Sequence, residues 1–428
     1  MVLEQNLSRA RDRRTGRAVA AALATVLAAC GGGDGDTDGA DGSTPLAGWR
    51  RTDIIGHLDV QSYDEVATAS TPGRLSWLGR APGDHALAHF QSTDGDFPEV
   101  VELAPPATSV GSTLTPTTVS TADDDAWVAV ADIRARPGDL VVGLVAWRGP
   151  GVGSAAPLAG DALVPAAGTT IAFDRVGAGR VGDTAVVLAL TGPSPPVDDG
   201  PTGGPVPEDI VAWTATGDGG WEPSQPDLGI DGPLDSLRVT GDGARLVLAA
   251  VTAGGDARLW SSEDGHAWAL IDEDSLPSGT EGVDLLTPVA SGEVAVGWRR
   301  DDAGHSTTVV QLLGANDAVA DVGTVEPTPD SDIEGVVANG AAIDDEGELV
   351  LVGAGDVDAD MASSSNTPVP LVWTQEDDSW IATQQTELVG RLDYRFRAVT
   401  TTSEGDLAGL ITPYLRIEVE LWEWEPPD

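Results

Sequence analysis

From residue 50 onward the chain is written in short apolar or alternating runs of about 5 to 8 residues, each bounded by Gly, Asp, Pro or Asn. Almost no stretch keeps a helical period for long, so the pattern predicts strands throughout and an all-β domain. One order of events recurs: a small apolar strand, a tight Asp/Gly turn, a very apolar strand, a connection, then a strand ending near Trp. Leu237–Thr240, Gly241-Asp242-Gly243, Arg245–Val251 and Arg258–Ser262 give the clearest copy. Val336–Ile343, Asp345-Glu346-Gly347, Glu348–Gly353 and Val369–Thr374 repeat it, as do Phe396–Thr402, Glu404-Gly405-Asp406, Leu407–Thr412 and Ile417–Trp424. Fainter copies begin near Val66, Trp127, Thr170 and Val283.

Four strands in a repeat of about 40 to 60 residues cannot bury both faces alone, and stacking copies around an axis gives them a shared core. The expected fold is a β-propeller of about seven four-stranded blades, six or eight being within the register's error. Trp422–Glu425 ends on a third strand, whereas Gly48–Ile55 reads as a fourth strand with no partner before it. Pairing these two segments would close the ring and cover two sheet edges.

Ser262-Glu263-Asp264-Gly265-His266-Ala267-Trp268 resembles the Asp-box, the S-x-D-x-G-x-x-W hairpin (BNR repeat) between the third and fourth strands of sialidase-like propellers. Either Glu263 stands at the family's Asp position, or Asp264 fills it with one residue fewer before the glycine. Trp213–Trp221 (WTATGDGGW), Trp373–Trp380 (WTQEDDSW) and Ser92–Phe97 (STDGDF) look like degenerate copies. A polar side chain that bonds turn amides, flanked by rings that pack between blades, accounts for the composition. The resemblance implies a structural role for Ser262, Asp264, Gly265 and Trp268.

The amino-terminal segment differs from all of this. Arg9, Arg11, Arg13, Arg14 and Arg17 precede an apolar stretch from Ala18 to Ala29, the layout of a secretory signal and too short to span a bilayer. Leu27, Ala28, Ala29 and Cys30, the chain's single cysteine, resemble the lipobox of bacterial lipoproteins. That resemblance implies cleavage before Cys30 and its diacylation, which anchors a protein stably. An ordinary signal peptidase site with a free thiol is the alternative. Residues 31–43, GGGDGDTDGADGS, read as a tether with an end-to-end distance of about 20 Å. Its Asp34, Asp36, Asp38 and Asp41 are spaced like a calcium loop, but Pro45 falls where the bidentate Glu would be needed. The expected organisation is a signal at 1–29, a tether at 30–47 and a propeller at 48–428.

Loss of the signal would remove five Arg, Glu4 and Asp12, leaving 18 basic and 67 acidic groups and a formal net charge of −49. The chain has no lysine, so nucleic acid, which is bound by neutralising phosphates, is excluded as a partner class. High acidity without lysine suits a salt-rich habitat, a genomic bias being the alternative. The expected setting is extracytoplasmic, on the membrane through Cys30, with the chain a monomer.

Candidate chemistry is sparse. Sialidases, which the hairpins resemble, use an arginine cluster, a Tyr with a Glu partner and an Asp acid; their Arg-Ile-Pro is absent here, and Arg416-Ile417-Glu418 is the nearest approach. Tyr394 lies among Arg391, Arg395 and Arg397 in RLDYRFR, where strand alternation puts Arg395 and Arg397 on one face and Tyr394 and Phe396 on the other. Tyr394 and Arg395 are therefore the catalytic candidates, against a solvated face balancing an acidic domain. His85 and His89 are spaced like helical zinc ligands, but in a strand their rings stand about 13 Å apart. Asp356, Asp358 and Asp360 would share one face of an extended segment and suit calcium, against an acidic connection; Asp123–Asp125 reads the same way. The longest connection is Thr191–Glu208.

The function expected from these features is a membrane-anchored, non-catalytic module that binds or scaffolds a protein or glycan of the cell envelope through loops on a rigid frame. A sialidase-like glycoside hydrolase is the first alternative and a calcium-stabilised adhesin the second. No other cofactor is expected.

Overall fold

The computed structural model describes residues 49–57, 66–80, 87–96, 99–106, 113–122, 126–134, 141–150, 158–193, 209–217, 219–230, 233–241, 243–252, 254–255, 257–272, 276, 279–300, 306–314, 318–325, 333–357, 369–376, 379–384, 394–413 and 418–424. Residues 1–48, with the expected signal, lipobox (Leu27, Ala28, Ala29 and Cys30) and tether, lie outside them, as do Asp123–Asp125 and residues 194–208 of the longest connection.

The described residues form strands and no helix. After β1 (Trp49–His57), the first unit is β2 (Ala67–Thr71), β3 (Arg74–Arg80), β4 (Leu87–Thr93) and β5 (Glu99–Ala104). The second is β6 (Thr113–Thr121), β7 (Ala126–Arg134) and β8 (Val141–Pro150), with β9 (Leu158–Ala159) and β10 (Asp161–Leu163). Here β10 pairs with β8 as the fourth strand, while β9 crosses to pair in parallel with β5. The third unit is β11 (Thr169–Val181), β12 (Thr184–Pro193), β13 (Asp209–Thr216) and β14 (Glu222–Ser224). The fourth is β15 (Leu234–Gly241), β16 (Leu246–Thr252), β17 (Ala257–Ser262) and β18 (Ala269–Asp272). The fifth is β19 (Gly282–Val289), β20 (Gly292–Arg300), β21 (Ser306–Gly314) and β22 (Val319–Val325). The sixth is β23 (Ile333–Ile343), β24 (Leu349–Val357), β25 (Val369–Glu376) and β26 (Ser379–Gln384). The last is β27 (Tyr394–Thr401), β28 (Leu407–Pro413) and β29 (Glu418–Trp424).

Five of these units stand as separate sheets; the second and third share an eight-stranded sheet through a single pair, Ile171 with Val141. The first strands pack in a closed circuit, β2 on β6, β6 on β11, β11 on β15, β15 on β19, β19 on β23, β23 on β27 and β27 on β2. Divided at that single pair, the described residues give seven units around an axis, a β-propeller. The last unit is completed by β1, which pairs with β29 from Trp49 opposite Trp424 to His57 opposite Glu418. Amino- and carboxyl-terminal strands thus close the ring, as their edge patterns require.

Apolar side chains on both faces of every unit explain why the sheets stack. The buried core falls into seven clusters among the described residues, one at each seam between neighbouring units. Leu75, Trp77 and Phe90 of the first unit meet Ala408, Leu410 and Leu421 of the last. Third strands carry Trp147, Trp213, Trp260, Trp373 and Trp422, each nearly or fully buried, and burying an aromatic of this size contributes a few kcal/mol, about 25 cal/mol per Å². Trp147 and Trp260 also donate their indole N–H to the preceding unit, at Ala104 O (3.0 Å) and Leu228 O (3.1 Å). One boundary differs from expectation: Trp127 does not open its unit but lies on the second strand, because the more polar β6 precedes it with the weaker apolar signal.

Because every unit is an antiparallel meander, its first-to-second and third-to-fourth hairpins emerge on one face of the ring. Contacts between hairpins knit that face: Gly182 N–H donates to Gly243 O at 2.8 Å, and Ser403 N–H to Asp94 Oδ1 at 2.8 Å. Second-to-third connections and the crossings between units leave from the opposite face.

Candidate functional site

A recurrent irregularity on the innermost strands builds the site. On six of the seven, the register to the second strand slips, between Pro116 and Thr118, Ile171 and Val176, Leu234 and Ser236, Val283 and Leu285, Ala338 and Gly340, and Phe396 and Ala398. Only β2 pairs without interruption. A bulge leaves one residue unpaired and re-aims its side chain. In the five single-residue slips the unpaired residue is polar, Thr117, Asp235, Asp284, Asn339 or Arg397; the longer slip of β11 covers Ala172, Phe173, Asp174 and Arg175. A second slip in β23 leaves Glu334 unpaired as well.

Core packing explains the slips. Within a regular strand, residues three apart face opposite sides, yet Leu234 and Leu237 share one seam, as do Ala338 and Ala341, and Phe396 and Val399. Val283 and Leu286 do the same. Each pair reaches one core only if an extra residue is pushed out between them. That residue is reachable by water: Asn339 and Arg397 are half-buried and Asp235 exposed, each between two buried neighbours. Thr117, Asn339 and Arg397 stand four residues before the end of their strands, Asp284 five and Asp235 six, so they fall in a tier around the axis that is two residues, about 7 Å, deep.

Bonds from strand to strand join the tier. Arg175 Nη2 lies 3.5 Å from Asp235 Oδ1, and Arg238 Nε donates to the Asp284 carbonyl at 3.4 Å. Asn339 Nδ2 donates to Phe396 O at 2.9 Å, Thr68 Oγ1 to Arg397 O at 3.0 Å, and Arg397 Nε to Thr412 Oγ1 at 3.0 Å. Burial raises the Asp284 carboxyl to about 6, with Arg238 pulling it only partly back. Toward the hairpin face the axis closes. Ser70 and Thr287, from units one and five, bring their hydroxyl oxygens to 3.2 Å. Beside them Thr71, Pro288, Ala341 and Val399 line a cavity of about 10 Å³, room for one water.

Of the residues singled out in the sequence, Tyr394 and Arg395 open β27, opposite Pro413 and Thr412; their side chains lie outside the described residues. Simple alternation through RLDYRFR does not hold, because the slip after Phe396 sets Arg397 in a bulge. Asp356 lies in β24, with its side chain outside the described residues, as are Asp358 and Asp360 entirely. Among the described residues no group of three or more His, Cys, Asp or Glu is placed to hold a metal ion. His85 lies outside them, and His89 is fully buried against Trp127, with ring centroids 4.1 Å apart.

Ser262-to-Trp268 joins the third and fourth strands of its unit. Asp264, not Glu263, holds the turn: its Oδ1 accepts from His266 N and Ala267 N, both at 2.8 Å, and these bonds lower its pKa. Ser262 Oγ accepts from Gly265 N at 2.9 Å. Gly265 has φ +78°, and a Cβ there would stand 2.5 Å from Val186 Cγ2 of the neighbouring unit, so glycine is required twice over. Trp268 packs against that seam. The three degenerate copies also fall between third and fourth strands. Arg175 and its neighbour Arg238 escape a reading by motif; the signal that marks Asp235, Asp284, Asn339 and Arg397 is a polar residue between apolar residues three apart.

No family model and no curated protein matches this chain. Solved structures that it is similar to include the BP39L lectin of Burkholderia pseudomallei, at 13% identity and TM-score 0.43 over 85% of this chain and 98% of that one. A sialidase of Trypanosoma rangeli aligns at 13% identity and TM-score 0.41 over 72% of this chain and 53% of its own. The endosialidase of phage phi92 aligns at 10% identity and TM-score 0.44 over 89% and 70%. With scores at this level, the fold assignment rests on the strand circuit and closure described above.

Proposed function

We propose that this chain is a lipoprotein, anchored outside the cytoplasm through Cys30, whose propeller is a non-catalytic binding module for a protein or glycan of the cell envelope. The observation that carries the binding reading is the tier of bulged polar residues. Six inner strands place side chains there that the seams do not need, on a rigid frame and within two residues of one level. A photo-crosslinking amino acid at Asp235, compared with one at Glu346 on the hairpin face, tests it in native envelopes. Saturable adducts from position 235 alone support the reading; equal labelling from both positions overturns it. Mass spectrometry of the intact mature protein tests the anchor separately, since diacylation at Cys30 adds a defined mass.

Asp284 is the observation that favours a hydrolase. A carboxyl that keeps its proton to about pH 6 beside a guanidinium suits a general acid. Product release from an envelope glycan by the wild-type chain, lost in Asp284→Asn, would put that reading first.

A further inference from the structure

Two of the guanidiniums here, those of Arg175 and Arg238, already stand near carboxylates. Arg175 has the Asp235 carboxylate 3.5 Å away, and Arg238 bonds the backbone of Asp284, whose carboxyl lies within its field. Arg397 is committed to Thr412. An anion entering beside Arg175 or Arg238 would have to displace an internal carboxylate, and would do so against the field of a chain with a formal charge of −46. What the tier offers instead is donors and acceptors spaced around the axis: the Thr117 hydroxyl, which donates to Thr115 O, the Asn339 amide, which donates to Phe396 O, the Asp235 carboxylate and the guanidiniums. Val337, 42% exposed on the same strand as Asn339, adds an apolar contact. Hydroxyl groups, which both donate and accept, match such a surface, and the C–H face of a sugar ring matches the valine.

Resting on the binding reading above, we propose that the tier takes an uncharged, hydroxyl-rich ligand, the end of a neutral glycan. On this proposal the ligand enters from the side away from the hairpins, since on the hairpin side the axis narrows to a single-water cavity.

The test uses the full chain in detergent on an array of oligosaccharides, each neutral core printed beside its sialylated and uronic-acid derivatives. Variants Asp235→Ala and Asn339→Ala probe the tier, Glu346→Ala is the hairpin-face control, and circular dichroism checks folding of each. The expected result is retention of neutral members, insensitive to added salt, weakened about tenfold or more by either tier substitution and unchanged in the control. Preference for the acidic derivatives overturns the proposal but leaves a binding module. Absence of any glycan binding overturns it and leaves a protein partner for the crosslinking experiment to find. Shortened products on the array overturn the non-catalytic reading itself. If folded tier variants bind as well as wild type, the site is elsewhere and the proposal falls.

Discussion

Ser70 and Thr287 touch across the propeller axis, their hydroxyl oxygens 3.2 Å apart although 217 residues separate them. Thr287 Oγ1 also lies 3.3 Å from the Ser70 carbonyl, so the contact ties the first inner strand to the fifth without passing through a seam. Thr287→Val keeps the shape and removes the hydroxyl. The expected loss is about 1 kcal/mol, read as a lower urea midpoint with unchanged slope.

Arg245 and Glu293 form the most buried ion pair among the described residues, Nη2 to Oε2 at 2.5 Å, with Nε bonded to Oε1 at 3.0 Å and Nη2 also to Gly314 O. Glu293→Ala strands a guanidinium between units four and five and should cost about 3–5 kcal/mol. Replacing both partners, Arg245→Met with Glu293→Leu, should restore most of that loss. Equilibrium unfolding of the two variants checks both statements, and equal stability would contradict the account.

His89 makes the domain acid-sensitive. Burial lowers its pKa to about 3 in the folded chain, against 6.5 when unfolded. Between those values the unfolded state binds the proton and the folded state does not, so stability falls as pH drops from about 6.5 toward 3. On the order of 5 kcal/mol is at stake by pH 3. Asp284 acts with the opposite sign: its folded pKa is raised from 3.8 to about 6, so stability falls as pH rises through that interval. Unfolding midpoints followed from pH 7 to 4 should fall less steeply in His89→Phe than in wild type, and more steeply in Asp284→Asn.

Asp264→Ala should cost about 1 kcal/mol, because two backbone amides lose their acceptor, whereas Glu263→Ala should change nothing measurable. Thermal melts of the pair decide which carboxylate holds the turn. Asp264 is ionised to lower pH in the fold than in the unfolded chain, so its contribution fades as pH falls through its folded pKa.

Much of the architecture was legible in the sequence because strand runs, Asp/Gly turns and Trp-ended third strands are local. Residues 237–262 read correctly for that reason, and the closing pair of Trp49 with Trp424 followed from two unmatched strand patterns. Trp127 misled because β6, with Thr at 113, 115, 117, 118 and 121, carries little apolar signal. The tier was missed for a different reason. Alternation assigns Arg397 to a face, and only the seams show that Phe396 and Val399 share a core and leave no face for it. A bulge is a relation between two strands, and a motif on one strand does not encode it.

The bulged residues belong to neither adjoining seam, and this shapes how such a protein can change over generations. A substitution at Asp235, Asn339 or Arg397 alters what the mouth of the ring presents while the seven apolar seams stay as they were. Six positions, spread over units distant in the chain, can therefore drift one at a time toward new ligands. Descendants of one scaffold would keep its stacking and diverge in what they hold.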